Sequence, residues 1–179
     1  PMEHAAPITV SASSAEAALS GYIAVRKLLP VWMGALNARE KFVEFQRYQN
    51  HGNMLSKIHP GAMLLLGPIG DKALSLHAIA IVAEEPIRRL DRSHIPAALK
   101  MVPERLHDEF LYVYLEPKYK FFDYVLFSHV LDLRPFAFTV RTFFEKFGLE
   151  IPNQNQGFAE VKNASLEHAQ AILRWCAKQ

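Results

Sequence analysis

Hydrophobic positions in this chain change their period several times. Residues 62–83, AMLLLGPIGDKALSLHAIAIVA, contain two apolar runs around Gly67-Pro68-Ile69-Gly70-Asp71, a pattern that predicts two strands joined by a loop of hairpin length. In the second run Leu74, Leu76, Ala78, Ala80 and Val82 alternate, so a strand would turn all five to one side. Residues 22–28, YIAVRKL, read as an earlier strand. Pro30 suits the first turn of a following helix. In that helix Val31, Leu36, Phe42, Val43 and Phe45 would share one face, with Arg39, Glu40, Lys41 and Glu44 mostly outside.

Further along, Pro103 splits its surroundings into two short helical pieces. Residues 110–117, FLYVYLEP, are bulky β-formers and predict a strand, as do residues 124–131. Residues 84–94 read as a charged connection and 153–157 as a polar loop. Residues 135–147 predict an aromatic helix that Gly148 ends. Ser165 can cap a last helix over 166–177, with His168 at its third position. A hairpin with interspersed helices means α+β: a single domain over 15–179, with a mixed or antiparallel sheet and flanking helices. Residues 1–14 are small and polar and are expected to be disordered.

Composition narrows the classes. The chain has 179 residues, 50% of them hydrophobic with twelve Phe, enough for a sizeable core. A net charge of +2 supplies no global field toward nucleic acid or membrane. Cys176 is the single cysteine, which excludes an intramolecular disulfide and favours a reducing, cytoplasmic compartment. Beside Trp175 it reads as a packed hydrophobe and not a nucleophile. The first residues lack the basic start and apolar run of a signal peptide. No apolar stretch is long enough to cross a bilayer, so any membrane association would be peripheral.

Arg134 is the leading chemical candidate. It stands where a strand gives way to a helix, and a guanidinium there suits bidentate recognition of phosphate. Asp132 could orient it or hold a divalent ion; the plainer alternative is a surface pair that caps the helix. Arg141 follows seven residues later, two helical turns on if one helix runs through both. His129, in an apolar strand, is either a general acid or base or a hydrogen-bonded core histidine. No histidine pair has H-x-x-x-H spacing, so no metal site is expected. Gly67-Pro68-Ile69-Gly70 lacks the Lys-Ser/Thr of a phosphate loop.

Two basic stretches could meet nucleic acid. One is EEPIRRLDRSH, with Arg88, Arg89 and Arg92, whose acidic neighbours also suit a solvated connection. The other is EPKYKFFDY, where Lys118 and Lys120 interleave with Tyr119, Phe121 and Phe122. Those rings could stack bases, or simply join the core.

The order Asp132-Leu133-Arg134-Pro135-Phe136-Ala137-Phe138, then Gly148, Ile151 and Pro152, resembles plasmid fertility-inhibition factors of the ParB/sulfiredoxin fold. YIAVRKLLPVW resembles their early strand. The family's turn reads G-R-x-R; here Leu133 stands at the glycine, Arg134 at the first arginine and Phe136 at the second. The resemblance implies a bacterial cytoplasmic protein, peripheral at the inner membrane, that blocks DNA or effector transfer through a type IV secretion system. It further implies nucleotide-dependent DNA cleavage, hence ATP, Mg2+ and DNA as companions. On the residues alone three classes stay open: a phosphohydrolase acting at Arg134, a non-enzymatic protein docking on a secretion component, and a small nucleic-acid-binding module.

Overall fold

The computed structural model describes residues 12–28, 33, 43–47, 57–84, 88–100, 102–114, 121–153 and 157–179. Its elements, in order, are α1 (Ala12–Ala18), β1 (Ile23–Leu28), β2 (Val43–Arg47), β3 (Met63–Pro68), β4 (Ala78–Val82) and β5 (Arg88–Asp91). A 3-10 turn (Arg92–His94) leads to α2 (Ile95–Leu99), and a second (Glu104–Leu106) to α3 (His107–Tyr114). Then come β6 (Phe121–Asp132), a third 3-10 turn (Arg134–Phe136), α4 (Val140–Phe147), β7 (Phe158–Glu160) and α5 (Leu166–Ala177).

The described strands form one mixed sheet in the order β2-β6-β4-β3-β1-β7, with β5 also paired to β6. β1 runs parallel to β3, Ile23 opposite Met63, and the other pairs are antiparallel. The α+β expectation therefore holds: an α+β domain with a mixed sheet and flanking helices. Among the described residues no helix is long and apolar enough to cross a membrane.

Both faces of the central strands are covered. On one face Ala24, Leu64, Leu66, Ala78, Ala80 and Val130 pack with Ile95, Ala98, Val102 and Phe110. On the other, Ile23, Val25, Met63, Leu65, Ile79 and Ile81 pack with Phe143, Phe144, Ala169, Ile172 and Leu173. That is why β3 and β4 read as unbroken apolar runs: each residue has a core to enter, whichever way it points.

Several elements differ from expectation. Residues 110–114 belong to helix α3 and not to a strand. Their β-forming side chains lost to context: Phe110 is fully buried from a helix that continues the turn at Glu104–Leu106. Residues 43–47 are strand β2, paired with β6, and not the end of a helix; the rest of that segment to residue 34 lies outside the described residues. The supposed connection 84–94 contains β5. The hairpin loop spans 69–77, not 67–71. Leu74 has a positive φ of 53° and does not extend β4, and the Asp71 carboxylate accepts from the N–H groups of Ala73 and Ser75. Gly67 is required here, because a Cβ would strike the Ser75 carbonyl oxygen. α1 opens at Ala12, inside the segment expected to be disordered.

The later elements follow their sequence signals. α4 stops at Gly148, which takes the left-handed conformation at φ 68°. Ser165 caps α5, accepting from the His168 N–H at 3.3 Å. Cys176 packs against the second core, and burial pushes its thiol up to about 12, as suits a packed hydrophobe. Arg174 of α5 pairs with Glu16 of α1 at 2.6 Å, a mostly exposed tie between the two helices.

Candidate functional site

The strand-to-turn junction brings Asp132 and Arg134 together, as the sequence suggested. Asp132 Oδ1 accepts from the Arg134 backbone N–H at 2.9 Å and from its Nε at 3.0 Å, and Oδ2 accepts from Nη2 at 2.9 Å. The arginine side chain is 46% exposed and the aspartate 15%. The side-chain hydrogen bonds to Asp132 hold the guanidinium above its ordinary value; burial opposes them, and the Asp132 charge adds a lesser push in the same direction. This is the geometry of a capping pair: one edge of the guanidinium is committed to Asp132, and the carboxylate oxygens that could have met a cation are both engaged.

The other two residues of the expected site stand apart from that pair. Arg134 and Arg141 do not share a helix. The chain leaves the 3-10 turn through Ala137, at a left-handed φ of 51°, and restarts at Thr139. The Thr139 and Thr142 side chains each accept from the other's backbone N–H, forming a capping box. The i to i+7 argument therefore does not apply, and Arg141 is simply exposed on α4. His129 lies opposite Ile81, and the register slips between Ile81 and Val82. Ser128 is the extra residue of this bulge, and its hydroxyl donates to the Ile81 carbonyl at 3.3 Å. Burial lowers the His129 pKa below the usual histidine value, and its Nδ1 lies 2.9 Å from Ser128 Oγ. Ser128 Oγ cannot give its one proton to both, so the Nδ1 contact is a donation by a ring N–H or competes with the carbonyl.

Of the basic stretches, Arg92 is exposed at the turn after β5, where Asp91 caps Ser93 and His94. Arg88 and Arg89 are backbone members of β5, paired opposite Tyr124 and Asp123; their side chains are outside the described part. Lys118, Tyr119 and Lys120 lie outside the described residues, as do the side chains of Phe121 and Phe122. Around the α4–α5 junction, Phe136, Phe138 and Phe147 gather on Trp175 at ring separations of 4.9 to 6.0 Å, with Lys146 Nζ 4.8 Å above the indole. Most of the late aromatics therefore make a core with a half-buried rim. Among the described residues no group of three or more His, Cys, Asp and Glu is placed to hold a metal.

No motif marks the open cleft of about 490 Å³ at the β7 edge of the sheet. Its lining includes none of Arg134, Asp132, His129 or Arg141. One wall is Glu150, Ile151, Pro152 and Asn153; the floor is Ala159 and Glu160; Lys57 and Lys162 complete it. Asn163 fixes the wall through the backbone, accepting from the Glu150 N–H at 2.8 Å and donating to the Gly148 carbonyl at 3.1 Å. Ile151 is 43% exposed there, an apolar side chain held beside charged ones.

Next to the cleft is a chain of polar contacts. His59 Nδ1 meets the Lys57 carbonyl at 3.0 Å and Nε2 meets Ser20 Oγ at 2.9 Å. Since a carbonyl only accepts, Nδ1 carries a proton; in the neutral imidazole Nε2 is then the acceptor for the serine hydroxyl. The Tyr22 N–H donates to the same Oγ at 3.3 Å. The Tyr22 ring meets the imidazole edge-on at 5.0 Å and 70°. The Tyr22 hydroxyl is shielded from solvent and makes no hydrogen bond of good geometry. Desolvation first, and then the nearby Glu160 carboxylate, pushes its pKa up to about 12. Glu160 is close enough to repel a phenolate without forming a well-aligned bond. Gly61 lets the two loops meet: at φ 82° it approaches Ala18, and a Cβ would strike the Ala18 carbonyl oxygen.

No protein-family model and no curated protein matches the chain. Solved structures do. An ASCH protein from Zymomonas mobilis aligns with TM-score 0.52 at 15% identity, covering 85% of this chain and 94% of that one. Two point-substituted forms of that protein give 0.52 and 0.54, at 16% and 15% identity, over 88% and 85% of this chain and 98% and 96% of theirs. The likeness is one of fold.

Proposed function

We propose that this protein is a nucleic-acid-binding domain that takes an unpaired base into the cleft at the β7 edge. The observation that carries this reading is the mixture of chemistries in that cleft. Ile151 and Pro152 offer an apolar surface to a flat ring, while Glu150 and Glu160 accept from exocyclic amino groups. Lys57, Lys162 and Asn153 can donate to ring carbonyls or to a neighbouring phosphate. Two ammonium groups against two carboxylates make the cleft nearly neutral. It therefore suits a heterocycle with donors and acceptors better than a bare phosphate. The volume falls in the range of small-ligand sites.

The test is fluorescence anisotropy with labelled single-stranded RNA and DNA, with free nucleosides as competitors. Glu160→Gln or Lys162→Ala should weaken binding by about 10- to 100-fold, the range for losing a hydrogen bond to a charged group. Competition by nucleosides should be base-dependent. Undetectable binding to either polymer at low salt, or equal affinity in both variants, would overturn the proposal.

The ParB/sulfiredoxin assignment and the fertility-inhibition role are separate proposals resting on residues 132–138, 148, 151 and 152. Their support is the exposed Arg134 turn. Expression of the protein in a plasmid donor should then lower transfer frequency, and Arg134→Ala should restore it.

A further inference from the structure

We infer that Ser20 and His59 form a nucleophile–base pair that hydrolyses carboxylic esters at the rim of the cleft. The inference rests on the cleft being a ligand site and assigns it a reaction. Three geometric facts carry it. Ser20 Oγ lies 2.9 Å from His59 Nε2, within the reach a general base needs. The imidazole is held with a proton on Nδ1 by the Lys57 carbonyl and steadied by the edge of Tyr22. This is the third member that orients the base, here a backbone carbonyl in place of a carboxylate. Lys57, whose carbonyl orients the imidazole, also lines the cleft, which places the pair next to it. Ser20 is exposed and His59 half-buried, so a substrate can reach the hydroxyl.

The reaction balances without a cofactor. Ser20 Oγ attacks the ester carbonyl carbon while its proton passes to His59 Nε2. The carbonyl becomes an oxyanion. When it collapses, the carbon–oxygen bond to the alcohol breaks and Nε2 returns the proton to the departing alkoxide, leaving an acyl-Ser20 ester. Water then attacks the acyl carbon and His59 again takes the proton. The carboxylic acid leaves and Ser20 regains its hydrogen. The Tyr22 N–H donates to Oγ at 3.3 Å and helps hold it beside Nε2. With a base in the cleft, the fitting substrate class is an acyl ester on a sugar hydroxyl of the bound nucleotide.

The experiment uses the whole chain, a fluorophosphonate probe and 4-nitrophenyl acetate, read by intact mass and peptide mapping. The expected result is a covalent adduct on Ser20, absent in Ser20→Ala, with labelling about 10²- to 10⁴-fold slower in His59→Ala. His59→Asn, which can still donate to the Lys57 carbonyl, should be equally slow, and thermal melts of all variants show whether the loops still close. No adduct on Ser20 in folded wild-type protein, or labelling that is unchanged in both His59 variants, overturns the inference. The oligonucleotide assay separates the two readings. Binding without an adduct removes the reaction and keeps the base site; an adduct without binding keeps the reaction and removes the nucleotide.

Discussion

The segment from β6 to Gly148 and the corner around the cleft are built in opposite ways. In the first, each feature is held by residues a few positions away: Asp132 holds Arg134, Thr139 and Thr142 close a box, and Gly148 ends the helix. In the second, residues 20–22, 57–61, 150–153 and 159–162 come from four separate places. They meet because β1 pairs with β3 on one side and β7 on the other. The first region shows its stability in its sequence. The second shows its chemistry only when folded. Substitutions can press on that contrast.

The largest effect should fall in the first region. Phe143 is fully buried against Phe138 and Phe147, so Phe143→Ala should cost about 3–5 kcal/mol in denaturant unfolding. Ile151→Ala, at the cleft rim, should stay within about 0.5 kcal/mol of wild type. Comparable losses would mean that the cleft wall carries the fold and the contrast fails.

Next comes ligand binding, where the order reverses. Lys162→Ala should weaken oligonucleotide binding by about 10-fold or more, while Arg134→Ala should change it less than about twofold. A larger loss at Arg134, measured by anisotropy, would move the site back to the strand-to-turn junction. A smaller effect is expected from Thr139→Ala, about 1 kcal/mol of stability from the lost cap, and Thr139→Ser should recover most of it.

The smallest effect is a pH dependence at the cleft. Tyr22 has a pKa near 12 in the folded protein against 10.0 for the free side chain. Between those values the folded state holds a proton that the unfolded state has released. Its contribution is therefore whole below about pH 10 and is lost as pH rises through 12. Tyr22→Phe should flatten the alkaline limb of the stability profile, and Glu160→Gln should shorten it from its upper end, because only the folded pKa falls back toward 10. An alkaline limb identical in all three proteins would show that Tyr22 is not under that pressure.

How much the sequence disclosed follows the same division. Signals that act within one turn were legible: Ser165 as a cap, Gly148 as a stop, the 124–131 strand, the unbroken apolar runs of β3 and β4. Signals that depend on what packs alongside were not. Tyr112 and Phe110 looked like strand residues, yet Phe110 enters the core from a helix. The 135–147 periodicity hid a left-handed break at Ala137, because nothing in Pro-Phe-Ala-Phe-Thr marks where one turn ends and the next begins. Arg134 and Asp132 pair with each other, but their spacing alone does not say whether the pair faces a ligand or only itself. The Ser20–His59 contact spans 39 positions. It has no motif, since the register of β1 against β3 alone decides that those two loops meet.

Asn163 is a single side chain, yet it grips the main chain of the cleft wall at both Gly148 and Glu150. Because those bonds reach only the Glu150 amide and the Gly148 carbonyl, the main chain there is gripped whichever side chain stands at 150.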